Sequence, residues 1–240
     1  MSWNQPSQWN QPSVAADVSI SDERVGAFLS RVYGWMFAGL LITAVTAFVV
    51  ASTPGLIEAL ILNRLVFWGL IIAQLGLVIY LSARVEHVAP MTAAGLFILY
   101  SGLTGVTTSV MLLLYTGTSI VSAFIITAGM FGTMAVFGTI TKKSLAGWGQ
   151  FFFMGLIGII IASIVGFFFQ SELLQFVISV VGVLVFTGLT AYDAQRLKQM
   201  AVALPDGRVG AYSIVGALSL YLNFINLFFF ILRLSGGRRD

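Results

Sequence analysis

Residues 174–192 read LQFVISVVGVLVFTGLTAY, and residues 193–204 continue as DAQRLKQMAVAL before Pro205-Asp206-Gly207. The first run is apolar over about the length that crosses a bilayer as one helix and carries no charge. The second holds good helix formers and no breaker, so the helix predicted here runs on for about eleven residues past Asp193. After the turn, Tyr212–Leu232 is apolar again. Two long helices folded at residues 205–210 bring residues equidistant from the turn to the same depth. The midpoint of 193 and 223 falls at residue 208, so Asp193 and Asn223 are expected to face each other, about 15–20 Å up the helices at 1.5 Å rise per residue.

Five further apolar runs precede this hairpin, at Val32–Ser52, Leu65–Ser82, Val88–Leu114, Ser119–Ile140 and Leu145–Phe169. With 58% hydrophobic and 9% charged residues in 240, against about 25% charged in a soluble domain, the chain cannot cover itself with a water-compatible surface. The mean hydropathy is +0.98. The runs lack the alternation of a barrel strand, so the predicted class is all-α, a polytopic membrane protein with seven spanning helices over residues 32–234. Residues 1–31, opening on the near-repeat Trp3-Asn4-Gln5-Pro6-Ser7 and Trp9-Asn10-Gln11-Pro12-Ser13, are predicted to be a disordered polar tail. The tail has no basic and apolar arrangement of a signal peptide. Residues 235–240 form a short basic tail.

Charge gives an orientation. Arg24, Arg31, Arg84, Lys142, Lys143, Arg196, Lys198 and Arg208 fall on the side of the N-terminus, and Arg64, Arg233, Arg238 and Arg239 on the other. The excess favours a cytoplasmic N-terminus and a periplasmic C-terminus. The basic end of the chain, with Arg238 and Arg239, is the weak point of that count, and a re-entrant segment in place of one span is the alternative. The net charge of +3 is spread over loops and gives no nucleic-acid footprint.

Zero cysteines exclude disulfides and thiolate chemistry, and the one histidine, His87, lies in a connection. An aspartyl protease would need two carboxylates inside neighbouring helices. Asp193 is the one acid that the hairpin can bury, so no enzyme, no catalytic residue and no cofactor is expected. Asp193 is also open to a plainer reading, an interfacial residue paired with Arg196 at i,i+3. Gln74, in the middle of the second run, and Arg196 are candidates for interhelical hydrogen bonds or for lining a pathway. Gly158, Ala162 and Gly166, spaced by four, suggest close packing of the fifth span against a neighbour.

The chain resembles the Bax inhibitor-1 family, also called the transmembrane Bax-inhibitor-motif family, in its bacterial inner-membrane branch. The resemblance rests on Arg31-Val32-Tyr33-Gly34-Trp35-Met36 with Gly39-Leu40, on residues 127–132 (TAGMFG), on residues 188–195 (GLTAYDAQ) and on residues 220–228 (LYLNFINLF). It implies a bundle of seven helices around a central one, and a calcium leak controlled by protons through two aspartates on the sixth and seventh spans. Asp193 matches the first aspartate, and as a gate it would also touch calcium in transit. Where many relatives have the second aspartate, this chain has Asn223. Two close carboxylates repel and can share a proton, whereas aspartate with asparagine makes a neutral-to-anionic hydrogen-bonded pair and a weaker switch. Relatives are also linked to control of membrane proteases, so the alternative function is a non-transporting regulator that binds a membrane protease or another stress-response partner. Beyond the bilayer itself, the resemblance leaves the oligomeric state open.

Overall fold

The structure is a computed structural model and describes residues 14–169 and 171–237. Seven long helices, with two short helical connections, make up the bundle: α1 (Val14–Ala51), α2 (Pro54–Ile57) running into a π-helical turn (Glu58–Leu62), α3 (Arg64–Arg84), α4 (Pro90–Leu114), α5 (Gly117–Ile140), α6 (Ala146–Phe169), α7 (Glu172–Ala203), a 3-10 turn (Asp206–Arg208) and α8 (Val209–Ser235). All but α2 are long and apolar enough to cross a membrane, which makes this a polytopic membrane protein. Each spanning helix is continuous, and the re-entrant alternative finds no counterpart among the described residues.

Local chemistry sets the helix starts. Asn63 Oδ1 accepts from the backbone N–H groups of Leu65 and Val66 at 3.2 and 3.3 Å, Thr116 Oγ1 from Ser119 at 3.3 Å, and Ser171 Oγ from Leu174 at 3.3 Å. Pro90 opens α4, where its missing N–H costs nothing. Pro205 follows α7, which therefore extends past Asp193 to Ala203 as the sequence predicts.

Two expectations are corrected. Residues 14–31, assigned to a disordered tail, are helical from Val14 onward; residues 1–13 lie outside the described residues. The physical reason is a stripe at helical spacing, Val25, Phe28, Leu29 and Val32, which packs into the core, while Arg24 Nη2 donates to the Leu204 carbonyl at the α7–α8 turn at 3.0 Å. The C-terminal segment is not all tail, since α8 includes Ser235 and the Gly237 N–H donates to Ser119 Oγ at 2.9 Å; residues 238–240 lie outside the described residues.

α8 is the central helix. In its most apolar stretch 61% of residues are buried, against 6% in α3, and it packs on α1, α4, α5 and α7. The tightest approaches are not at Gly158, where a Cβ would meet open space, but elsewhere: a methyl at Gly138 would strike the Ala191 backbone, and one at Gly182 would lie 2.6 Å from the Phe230 ring. Without a hydrophobic drive between helices in lipid, such small-residue contacts supply the packing. Gly166 makes only ordinary contact with Leu174 and Ile178.

Candidate functional site

The hairpin of α7 and α8 places the polar groups as depth matching predicts. Asn223 Nδ2 donates to Asp193 Oδ2 at 2.7 Å, and Ser219 Oγ donates to the same oxygen at 2.7 Å. Asp193 is 8% exposed and Asn223 5%. Two short bonds from neutral donors satisfy one carboxylate oxygen of a group whose unpaired burial would cost several kcal/mol. Arg196 does not form the i,i+3 ion pair with Asp193 that the plainer reading required: it is exposed and in no ion pair among the described residues.

Ser219 escaped the sequence reading. It stands four residues before Asn223, one helical turn away on the same face of α8, and that spacing was the available signal. Gln195 was also missed as a structural group. Its Oε1 accepts from the Leu145 N–H at 2.7 Å and its Nε2 donates to the Lys143 carbonyl at 2.8 Å, while Lys198 Nζ donates to the Thr139 carbonyl at 2.9 Å. The segment of α7 just past Asp193 is thereby tied to the α5–α6 connection. The close meeting of Gly138 with Ala191 brings α5 against α7 just before Asp193.

Asp193, Ser219 and Asn223 form part of the wall of a cavity of about 900 Å³. α3 packs on α4 and α6 on α7, and the cavity lies in the space left between α3 and α6. Its polar lining includes Gln74, Gln150, Arg196 and Asn226 as well as the Asp193 cluster, while its aliphatic lining comes from residues such as Ile71, Leu75 and Ile160. Gln74 Oε1 accepts from Thr104 and Thr107 across the α3–α4 contact at 3.4 and 3.5 Å, and the residue also lines the cavity. No group of three or more His, Cys, Asp or Glu residues able to hold a metal occurs among the described residues. Calcium binding in transit would fall to one carboxylate and neighbouring amide oxygens, a weak set for an ion that takes six to eight oxygens.

The comparisons with known proteins agree with this architecture. The family model described as "Inhibitor of apoptosis-promoting Bax1" matches residues 25–240. The chain belongs to the Bax inhibitor family. Among its relatives, the inner membrane protein YbhL of Escherichia coli strain K12 is 48% identical over 226 residues, covering 92% of this chain and 97% of the relative. A protein of Borreliella burgdorferi is 45% identical over 215 residues, covering 89% and 93%, and one of Caulobacter vibrioides is 38% identical over 239 residues, covering 95% of each. In this member of the Bax inhibitor family the position opposite Asp193 holds an amide, Asn223, which donates to the carboxylate at 2.7 Å.

Proposed function

We propose that this protein is a passive cation leak of the bacterial inner membrane, modulated by pH and passing calcium as cargo, with no catalytic chemistry. The observation that carries this reading is Asp193: a buried carboxylate at membrane depth, held by two neutral donors, on the wall of a cavity of about 900 Å³. An intramembrane acid hydrogen-bonded by neutral donors, with the Arg196 charge acting on it from beyond ion-pair distance, marks an ion or proton pathway by default. The relative named as an inner membrane protein supports the compartment.

The chemistry of the pair suggests how protons act. Ionised Asp193 accepts from Ser219 and Asn223 through one oxygen, which ties α8 to α7. A proton on that oxygen removes an acceptor site and turns it into a donor, so Ser219 and Asn223 must reorient and the α7–α8 contact beside the cavity loosens. A single charged ligand binds a hard cation weakly, as a leak requires: an ion that enters must also leave. The orientation proposed with this function puts the end that carries the α7–α8 turn in the cytoplasm. Contacts from Arg24 to Leu204, Glu86 to Arg208 and Gln195 to Lys143 gather at that end, and the excess of basic residues there favours it.

The test is calcium entry into proteoliposomes loaded with an indicator dye, wild type beside Asp193→Ala. Flux from the wild type, reduced about tenfold or more in the variant (a change of about 1.4 kcal/mol), is the expected result. No flux from correctly folded wild-type protein, or equal flux from both, would falsify the reading.

A further inference from the structure

The groove between α3 and α6 is longer than the Asp193 site needs. The cavity beside Asp193 shares Leu156, Ile160, Phe186 and Asn226 with a second cavity of about 660 Å³ that continues to Trp68 and Ile164. On α6 the pair of cavities runs from Ala146 to Phe168, about 33 Å of helix at 1.5 Å per residue, which is the depth of a bilayer's hydrocarbon core. Its walls between the polar groups are aliphatic and aromatic, and the two helices that flank it are the least buried in the bundle, at 6% for α3 and 17% for α6.

One end of this groove is basic. Arg196 is exposed on the cavity wall; its charge acts on Asp193, but no carboxylate among the described residues lies within ion-pair distance of it. The two flanking helices add to it: α3 ends at Arg84, and the connection that leads into α6 carries Lys142 and Lys143, all three exposed. The acid of the neighbouring α3–α4 connection, Glu86, is engaged at 3.8 Å by Arg208 and at 3.3 Å by the Tyr212 hydroxyl. An apolar slot between two lightly buried helices, with Arg196, Arg84, Lys142 and Lys143 at its mouth against the one carboxylate of Asp193, matches a molecule with an anionic head and an apolar tail.

We propose that the α3–α6 groove is a binding site for an anionic phospholipid, its phosphate on Arg196 and an acyl chain along Leu75 and Ile160. Basic groups at this depth attract anionic head groups, each contributing about 1 kcal/mol, or about fivefold in binding at 25 °C. The site does not depend on ion conduction, and it fails or stands separately from the leak.

Native mass spectrometry of the purified full-length protein, exposed to equal amounts of phosphatidylglycerol and phosphatidylcholine in mild detergent, tests it. Wild type is expected to retain phosphatidylglycerol about fivefold over phosphatidylcholine, and Arg196→Ala to lower that ratio to near one. Ile160→Trp, which fills the slot without touching charge, is expected to reduce retention of both lipids. Arg208→Ala removes a charge from the same end but away from the groove, and the preference is expected to survive it. Equal retention of the two lipids by wild type, or a preference lost equally in Arg196→Ala and Arg208→Ala, overturns the proposal. So does a second copy of the chain found in place of lipid and displaced by Ile160→Trp. Size-exclusion profiles matching wild type certify that each variant is folded.

Discussion

The two sides of α8 use polar residues in opposite ways. On one side Ser219 and Asn223 reach a carboxylate that borders a cavity; on the other, the Tyr221 hydroxyl meets Thr43 Oγ1 at 2.6 Å, and Thr43 in turn donates at 2.9 Å to the Gly39 and Ser101 carbonyls. The Tyr221 ring stacks edge-on to Phe97 and Tyr100 at 5.7 and 5.9 Å, and no solvent reaches it. Both sets are hydrogen-bonded, but only the first contains a carboxylate on the wall of the large cavity; the cavity of about 260 Å³ that Thr43 borders is lined almost wholly by apolar side chains. The difference separates a site from a fastener: burial and satisfied bonds hold helices together, while a titratable group beside a cavity can respond to its surroundings.

That contrast can be broken by substitution. Tyr221→Ala empties the sealed side and leaves Thr43 without its partner, and it is expected to cost about 3–5 kcal/mol, visible as a large fall in the thermal midpoint. Asn223→Asp is expected to leave the midpoint much closer to wild type while making calcium flux steeper in pH, because two adjoining carboxylates share one proton. Superimposable flux-versus-pH curves for the two proteins would show that the amide does not set the response. Tyr221→Phe keeps the ring packing and removes one hydrogen bond, so about 1 kcal/mol is expected with flux unchanged; altered pH dependence in this variant would mean that the two sides of α8 are coupled. Gln74→Leu removes long bonds to Thr104 and Thr107 between α3 and α4, and about 0.6 kcal/mol is the expected loss, close to the resolution of a detergent-based melt.

Much of the fold was legible in the sequence because the bilayer imposes a length. Each apolar run had to be a helix, since backbone groups in lipid must be satisfied within the segment, and the seven runs match the seven long helices to within a few residues at most ends. The exception, α1, begins eighteen residues before the predicted span. Its first turns carry Asp17, Asp22, Glu23 and Arg24 and read as tail; the contact of Arg24 with the Leu204 carbonyl at the α7–α8 turn is one that no local composition reveals. The connection after α1, which lies between the first two apolar runs, holds α2 and a π-helical turn that the runs do not predict. The expected packing at Gly158, Ala162 and Gly166 holds only in part: Ala162 packs against the core and Gly166 makes ordinary contact with α7, but Gly158 faces open space, because small residues permit close approach only where a neighbour is there. Gly138 and Gly188, which do meet Ala191 and Phe152, carry no stronger pattern than Gly158.

The sequence by itself determined the number of spans, the central hairpin and the depth at which Asp193 meets Asn223, because helical rise and the position of a turn are one-dimensional quantities. The tertiary structure alone decided the rest: that Ser219 joins the pair, that Gln195 fastens α7 to the α5–α6 connection, and that α3 and α6 stand apart around a groove. These depend on which way each helix faces. In water a polar face would have revealed that rotation; in lipid the inward and outward faces are both apolar, as the exposed Phe48, Ile72, Phe151 and Leu184 show, and only packing against particular neighbours fixes it.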